Sequence, residues 1–128
     1  MSTRCCVKVT RNFGSPLTTD RIETVMLYHH HDGYPEGVGV DLKKRSENWP
    51  SYYGIWDIDS IVNSLVKDPK DEYEVTVYDH TDIEYLYTID CNHKTIKCNE
   101  CQWIFEDENG NVVDENEIGD EVEIPEVL

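Results

Sequence analysis

Asp57-Ile58-Asp59-Ser60-Ile61-Val62-Asn63-Ser64-Leu65-Val66 is the stretch from which the fold is best read. Its apolar residues Ile58, Ile61, Val62, Leu65 and Val66 stand at i, i+3, i+4, i+7 and i+8, the spacing of a helix with one buried stripe. Asp57 is a suitable N-cap, and Pro69 marks the stop. Around this helix the periodicity changes to two. Upstream, Cys5, Val7 and Val9 alternate with Cys6, Lys8 and Thr10, the pattern of a half-buried strand, and Ile22 to His29 reads as a second strand that closes a hairpin with the first. The loop between them spans residues 12–20 with Gly14, Ser15 and Pro16. A short helix from about Pro35 to Arg45 places Val38, Leu42 and Arg45 on one side. Residues 46–56 are aromatic and irregular, with Trp49, Tyr52, Tyr53 and Trp56.

Downstream, strands are expected at Tyr73 to Tyr78, Ile83 to Ile89 and Thr95 to Asn99. A last hairpin around Asn109-Gly110 joins Trp103–Phe105 to Val112–Val113. The expected architecture is α+β: an antiparallel sheet of about five to seven strands with one or two helices packed on one face. The 128 residues amount to a single domain over residues 1–128, without internal repeats.

Charge narrows the function classes. Lys plus Arg is 11 and Asp plus Glu is 27, a formal net charge of −16. Residues 98–128 contain 11 of those acids and no base: Glu100, Glu106, Asp107, Glu108, Asp114, Glu115, Glu117, Asp120, Glu121, Glu123 and Glu126. Such an excess argues against direct binding to nucleic acid, which needs a basic footprint, and against attraction to anionic lipid. Trp103, Ile104, Phe105, Val112, Val113, Ile118, Val122, Ile124, Val127 and Leu128 interleave with the acids, so segment 98–128 is expected to be largely ordered, because disordered acidic tails lack such residues. A solvated face that keeps the protein soluble accounts for the charge in the plainest way. A fixed negative surface for a basic protein partner is the functional alternative, with Glu106, Asp107, Glu108, Asp114, Glu115, Glu117, Asp120 and Glu121 as partner-binding residues.

Five cysteines, an odd count, and an N-terminus without the apolar run of a secretory leader point to free thiols in a reducing compartment. Cys91-x-His93-x4-Cys98-x2-Cys101 contains one usable zinc half-site, Cys98-x2-Cys101, whereas Cys91-x-His93 is tighter than most zinc knuckles. The same residues fit a plain hairpin, Tyr87–Asp90 turning through Cys91–Lys94 into Thr95–Cys98, with the cysteines as small buried hydrophobes. We expect the hairpin, and no metal or other cofactor.

Tyr28-His29-His30-His31-Asp32-Gly33-Tyr34-Pro35 closes the second strand. Neighbours on a strand point to opposite faces, so three consecutive histidines cannot ligate one metal from regular strand. A turn in which Asp32 bonds local backbone is the simplest account, and a pocket for a ligand or partner is the functional one, with Tyr28, His30, Asp32, Gly33, Tyr34, Pro35, Trp49 and Tyr53 around it. The aspartate-glycine-tyrosine-proline turn, together with Tyr28, Gly39, Leu42 and the later Asp82-Ile83-Glu84-Tyr85-Leu86-Tyr87, resembles a family of small proteins encoded by phages, prophages and related mobile elements, a family without settled activity. The resemblance covers roughly residues 1–100, and its specific part is the turn. The triple histidine and the aromatic insert at Trp49–Trp56 depart from a generic member.

The acidic excess and this resemblance together imply a phage-type inhibitor of a bacterial defence system, of the anti-CRISPR or anti-restriction kind. Such a protein is not an enzyme. It would bind a basic, nucleic-acid-handling protein, a CRISPR effector or a nuclease, in the cytoplasm of an infected or lysogenic host. Two alternatives have their own residues. A small-ligand binder for a nucleotide signal would add Tyr52 and Trp56 to the loop residues, with Lys43, Lys44 and Arg45 supplying local positive charge. A metal-dependent hydrolase would use His30, Asp32 and His80, which have no spacing that metal chemistry demands.

Overall fold

The computed structural model describes residues 3–12, 21–78, 80–106 and 108–127. Most of the loop expected at residues 12–20 lies outside them, as does Asp107. Strands β1 (Cys5–Asn12) and β2 (Ile22–His29) pair antiparallel from Cys5↔His29 to Asn12↔Ile22, the expected first hairpin. A π-helical turn, Pro35–Gly39, runs directly into helix α1 (Val40–Ser46). The small hairpin of β3 (Ser51–Tyr52) and β4 (Ile55–Trp56) follows, then helix α2 (Ile58–Val66) and a 3₁₀ turn, Pro69–Asp71. The chain ends in β5 (Tyr73–Val75), β6 (Tyr85–Asp90), β7 (Thr95–Glu106) and β8 (Val112–Val122).

Among the described residues the fold is α+β: a mostly antiparallel six-stranded sheet in the order β5-β2-β1-β6-β7-β8, the separate hairpin, and two α-helices. The period-two pattern of β1 turns Cys5, Val7 and Val9 to one face, where each is fully buried. Tyr87 and Ile89, opposite Val7 and Val9 in β6, join them, and Leu42 of α1 and Ile61 and Leu65 of α2 close the core from above. Asp57 occupies the cap position, but its carboxylate accepts the Ser60 hydroxyl at 2.5 Å instead of a backbone amide.

Several boundaries differ from expectation, each for a physical reason. The residues expected as strand at 73–78 pair only to Val75, because the chain then leaves the sheet edge and crosses to β6. That crossover lies over the second face of the sheet: His80 stacks on Tyr28 with ring centroids 4.1 Å apart, and Ile83 is buried. It delivers β6 parallel to β1, Cys5↔Tyr85 through Thr10↔Asp90, within an otherwise antiparallel sheet. The segments expected as separate strands at 95–99 and 103–105 are one strand, β7, and its partner continues far beyond Val113 to Val122. In the helix expected over 35–45 the first turn is π-wound, with the Val40 amide donating back to the Pro35 carbonyl. Gly37 makes this turn possible: a Cβ there would overlap the Asp32 carbonyl.

Candidate functional site

The acidic residues gather on the sheet edge. β8 pairs with β7 on one side and, among the described residues, is the last strand of the sheet on the other. Asp114, Glu115, Glu117, Asp120 and Glu121 lie on it, all exposed. The register shifts between Asn99↔Glu121 and Cys101↔Ile118, where β8 contains one extra residue. That bulge is fastened by the Asn99 side-chain amide, which donates to the Gly119 carbonyl at 3.1 Å. Glu106 and Glu108 are exposed at the hairpin tip. Beyond the strand, Ile124 is buried in the core and its carbonyl accepts Lys43 Nζ at 2.9 Å, which fixes the chain after β8 to α1. Charges on an edge strand also discourage pairing with foreign strands.

Asp114 is the anchored member of the set. Its Oδ1 accepts the Thr81 hydroxyl at 2.6 Å and the Trp103 indole N–H at 2.7 Å, and these bonds hold its carboxyl below the usual aspartate range, Thr81 first. The Asn116 amide donates to the carbonyls of Thr81 and Ile83, at 2.8 and 2.9 Å, so the β7–β8 hairpin is tied to the crossover. A depressed carboxyl contributes stability that is present above the unfolded aspartate pKa and is lost as pH falls through the folded value. The melting temperature of Asp114→Asn should therefore lie below wild type by a constant gap at neutral pH, and the gap should close below about pH 4. A gap that widens towards acid would show that the carboxylate is not held in this way.

The histidine turn divides between the two faces of the sheet. Tyr28 and His30 are on the crossover side, with Tyr28 Oη 3.3 Å from His30 Nδ1. His29 and Asp32 line a cavity of about 610 Å³ on the helix side, together with His31, Asp41, Arg45, Asp71 and Tyr73. His29 is buried; its Nε2–H donates to the Asp71 carbonyl at 2.8 Å, and its Nδ1 has no partner among the described residues. Asp32 takes positive φ in the turn, but its carboxylate accepts the Tyr34 hydroxyl at 3.1 Å instead of the expected bond from local backbone. Gly33 donates to the Thr3 carbonyl and accepts Tyr87 Oη–H at 2.7 Å, and Pro35 is buried at the first helical position.

The aromatic residues grouped with this turn are elsewhere. Trp49 is buried against Trp56, edge to face, with centroids 5.0 Å apart. Tyr53 is fully exposed at positive φ in the β3–β4 turn. Neither lines the cavity, nor do Tyr28 and His30.

Arg45 governs what the cavity can hold. Its Nε donates to Asp41 and its Nη2 to Asp71, both at 2.9 Å; Nη1 reaches the Ser64 carbonyl, and the guanidinium lies over the Tyr73 ring. Tyr73 also donates to Asp41, at 2.7 Å. This network ties α1, α2, the 3₁₀ turn and β5 together, and it leaves the guanidinium compensated by two carboxylates. The Arg45 charge that a nucleotide phosphate would need is thus offset, and Lys43 is committed to Ile124, whereas Lys70 also lines the cavity. From sequence, Arg45 and Asp41 could have been paired by their i, i+4 spacing. Nothing local marks Asp71 or His29 as their neighbours.

The cysteine cluster is dispersed by the β6–β7 hairpin. Cys91 begins the turn, Cys98 faces the core, and Cys101 lies on the opposite side of β7. His93 bonds Asp90, 2.7 Å from Nδ1 to Oδ2. Burial pushes the thiols of Cys91, Cys98 and Cys101 up to about 11. Among the described residues no three His, Cys, Asp or Glu side chains are placed to share a metal ion, and this covers His30, Asp32 and His80 as well. No helix among the described residues is long and apolar enough to cross a membrane.

Comparison with protein-family models, with curated proteins and with solved structures finds no match to this chain.

Proposed function

We propose that this protein is a non-enzymatic inhibitor that occupies the basic surface of a nucleic-acid-handling protein, of the class of nucleases and CRISPR effectors. The supporting observation is the line of exposed carboxylates on β8, a hydrogen-bonded strand whose two ends are tied to the crossover and to α1. Duplex DNA presents one negative charge per ~1.7 Å of axis, and a competitor needs carboxylates held at comparable density. Residues on a strand advance about 3.3 Å each and alternate faces, so Glu115 and Glu117 stand about 6.6 Å apart on one face, roughly a quarter of that density. Complementary potential would speed encounter and would be weakened by salt.

The test is capture of partners from nuclease-treated bacterial lysate on the immobilised full chain. Retained proteins should be basic and nucleic-acid-binding, should elute between ~0.1 and 0.5 M salt, and should be displaced by duplex DNA. Retention that ignores both salt and DNA would overturn the proposal.

A further inference from the structure

The crossover and the β7–β8 hairpin enclose a second cavity, of about 400 Å³, on the sheet face away from the helices. Its floor is apolar, from Met26, Ile83 and Leu86, and Ile118 of β8 forms one wall. Asp114 and Glu115 stand on the rim beside Tyr78. Two of the lining side chains are large, apolar and exposed: Ile118 at 58% and Tyr78 at 75%. Contiguous exposed apolar surface on a strongly charged protein marks an interaction site.

Charge decides the occupant. A second copy of the chain would bring another −16 against the first, and nucleic acid would be repelled likewise. A cationic side chain with an apolar stem meets both halves of the groove. Arginine fits better than lysine, because its planar fork can bind a carboxylate in bidentate fashion and lie against an aromatic ring. Asp114 is already pinned through Oδ1 by Thr81 and Trp103, so little freedom is lost when a guanidinium reaches its Oδ2, and the neighbouring Glu115 has both oxygens to offer the fork.

We infer that this groove is the specificity pocket of the acidic surface, taking an arginine and an adjoining aliphatic residue from the basic partner. The inference rests on the function proposed above and adds where recognition beyond bulk charge resides.

Three short fluorescent peptides of equal length and charge test it against the full chain at ~0.1 M salt: alternating arginine and leucine, arginine and serine, and lysine and leucine. The arginine–leucine peptide should bind at least about tenfold more tightly than either of the others. Ile118→Ser and, separately, Tyr78→Ser should erase its advantage over arginine–serine; both side chains are largely exposed, and an unchanged melting temperature certifies the fold. Equal, salt-sensitive binding of all three peptides, or an advantage that survives both substitutions, would overturn the groove while leaving the acidic-surface function standing. Failure of every peptide to bind, even at low salt, would overturn both.

Discussion

Reversing Glu115, Glu117, Asp120 and Glu121 to lysine should abolish retention of the basic partners, with affinity at least roughly a hundredfold weaker at low salt. Each reversal adds two charges, so the four move the formal net charge from −16 to −8 and leave the protein acidic overall. The loss would therefore combine the halved total with the position of the charge on β8. All four side chains are exposed, and Asp114 is spared because it anchors the hairpin. Neutralising the same four to amides should give an intermediate loss, and the remaining binding should depend less steeply on salt. Like charges crowd this strand, so the amide variant should also melt no lower than wild type, and added salt should narrow any difference. Isothermal titration over a salt series distinguishes the cases. Undiminished binding by the lysine variant would mean that the acids on β8 serve only solubility.

The second large effect is on stability. Tyr87 is fully buried at the centre of the sheet, beside Cys98 and Val7, and its hydroxyl crosses the core to the Gly33 carbonyl. Burial drives its ionisation well above the usual tyrosine range, so it stays a hydrogen-bond donor throughout the accessible pH range. Tyr87→Ala should cost about 3–5 kcal/mol, a large share of the 5–15 kcal/mol that holds a typical domain together. In thermal unfolding that is a fall of roughly 10–20 °C. Tyr87→Phe keeps the ring and strands a buried carbonyl, at a cost of about 1–3 kcal/mol. Because that carbonyl belongs to the histidine turn, amide exchange in residues 32–34 should rise in the Phe variant more than exchange in α2. Unfolding in urea gives the energies; a Phe variant as stable as wild type would mean that the bond to Gly33 contributes nothing.

Where periodicity is local, the sequence was legible. α2 lies where Ile58, Ile61 and Leu65 place it, and β1 and β2 follow their alternation to the residue in the case of Ile22–His29. The β6–β7 hairpin over the cysteines was likewise readable from its turn. β8 was not, beyond its first residues. Asp114-Glu115-Asn116-Glu117 and Gly119-Asp120-Glu121 are poor strand formers, and their conformation is imposed by pairing with Trp103, Gln102 and Cys101 across the hairpin. The parallel contact of β1 with β6 left no trace either, since alternation tells a strand which face is buried and says nothing of its neighbour. In the candidate sites the same division holds. Asp32 and Tyr34 close their turn through a local bond, whereas the Arg45–Asp71–His29 cluster and the groove between Met26, Ile83 and Ile118 join residues distant in the chain.

That central parallel pairing has a consequence during synthesis. β1 leaves the ribosome roughly 80 residues before β6 exists to flank it. At about 5–20 residues per second, the middle strand of the sheet waits roughly 4–16 seconds with one side supported by β2 and the other bare. The backbone N–H and C=O groups on that side of β1 are unpaired for the interval, and a nascent chain stalled before Tyr85 would offer them as an open strand edge to another polypeptide in the same state.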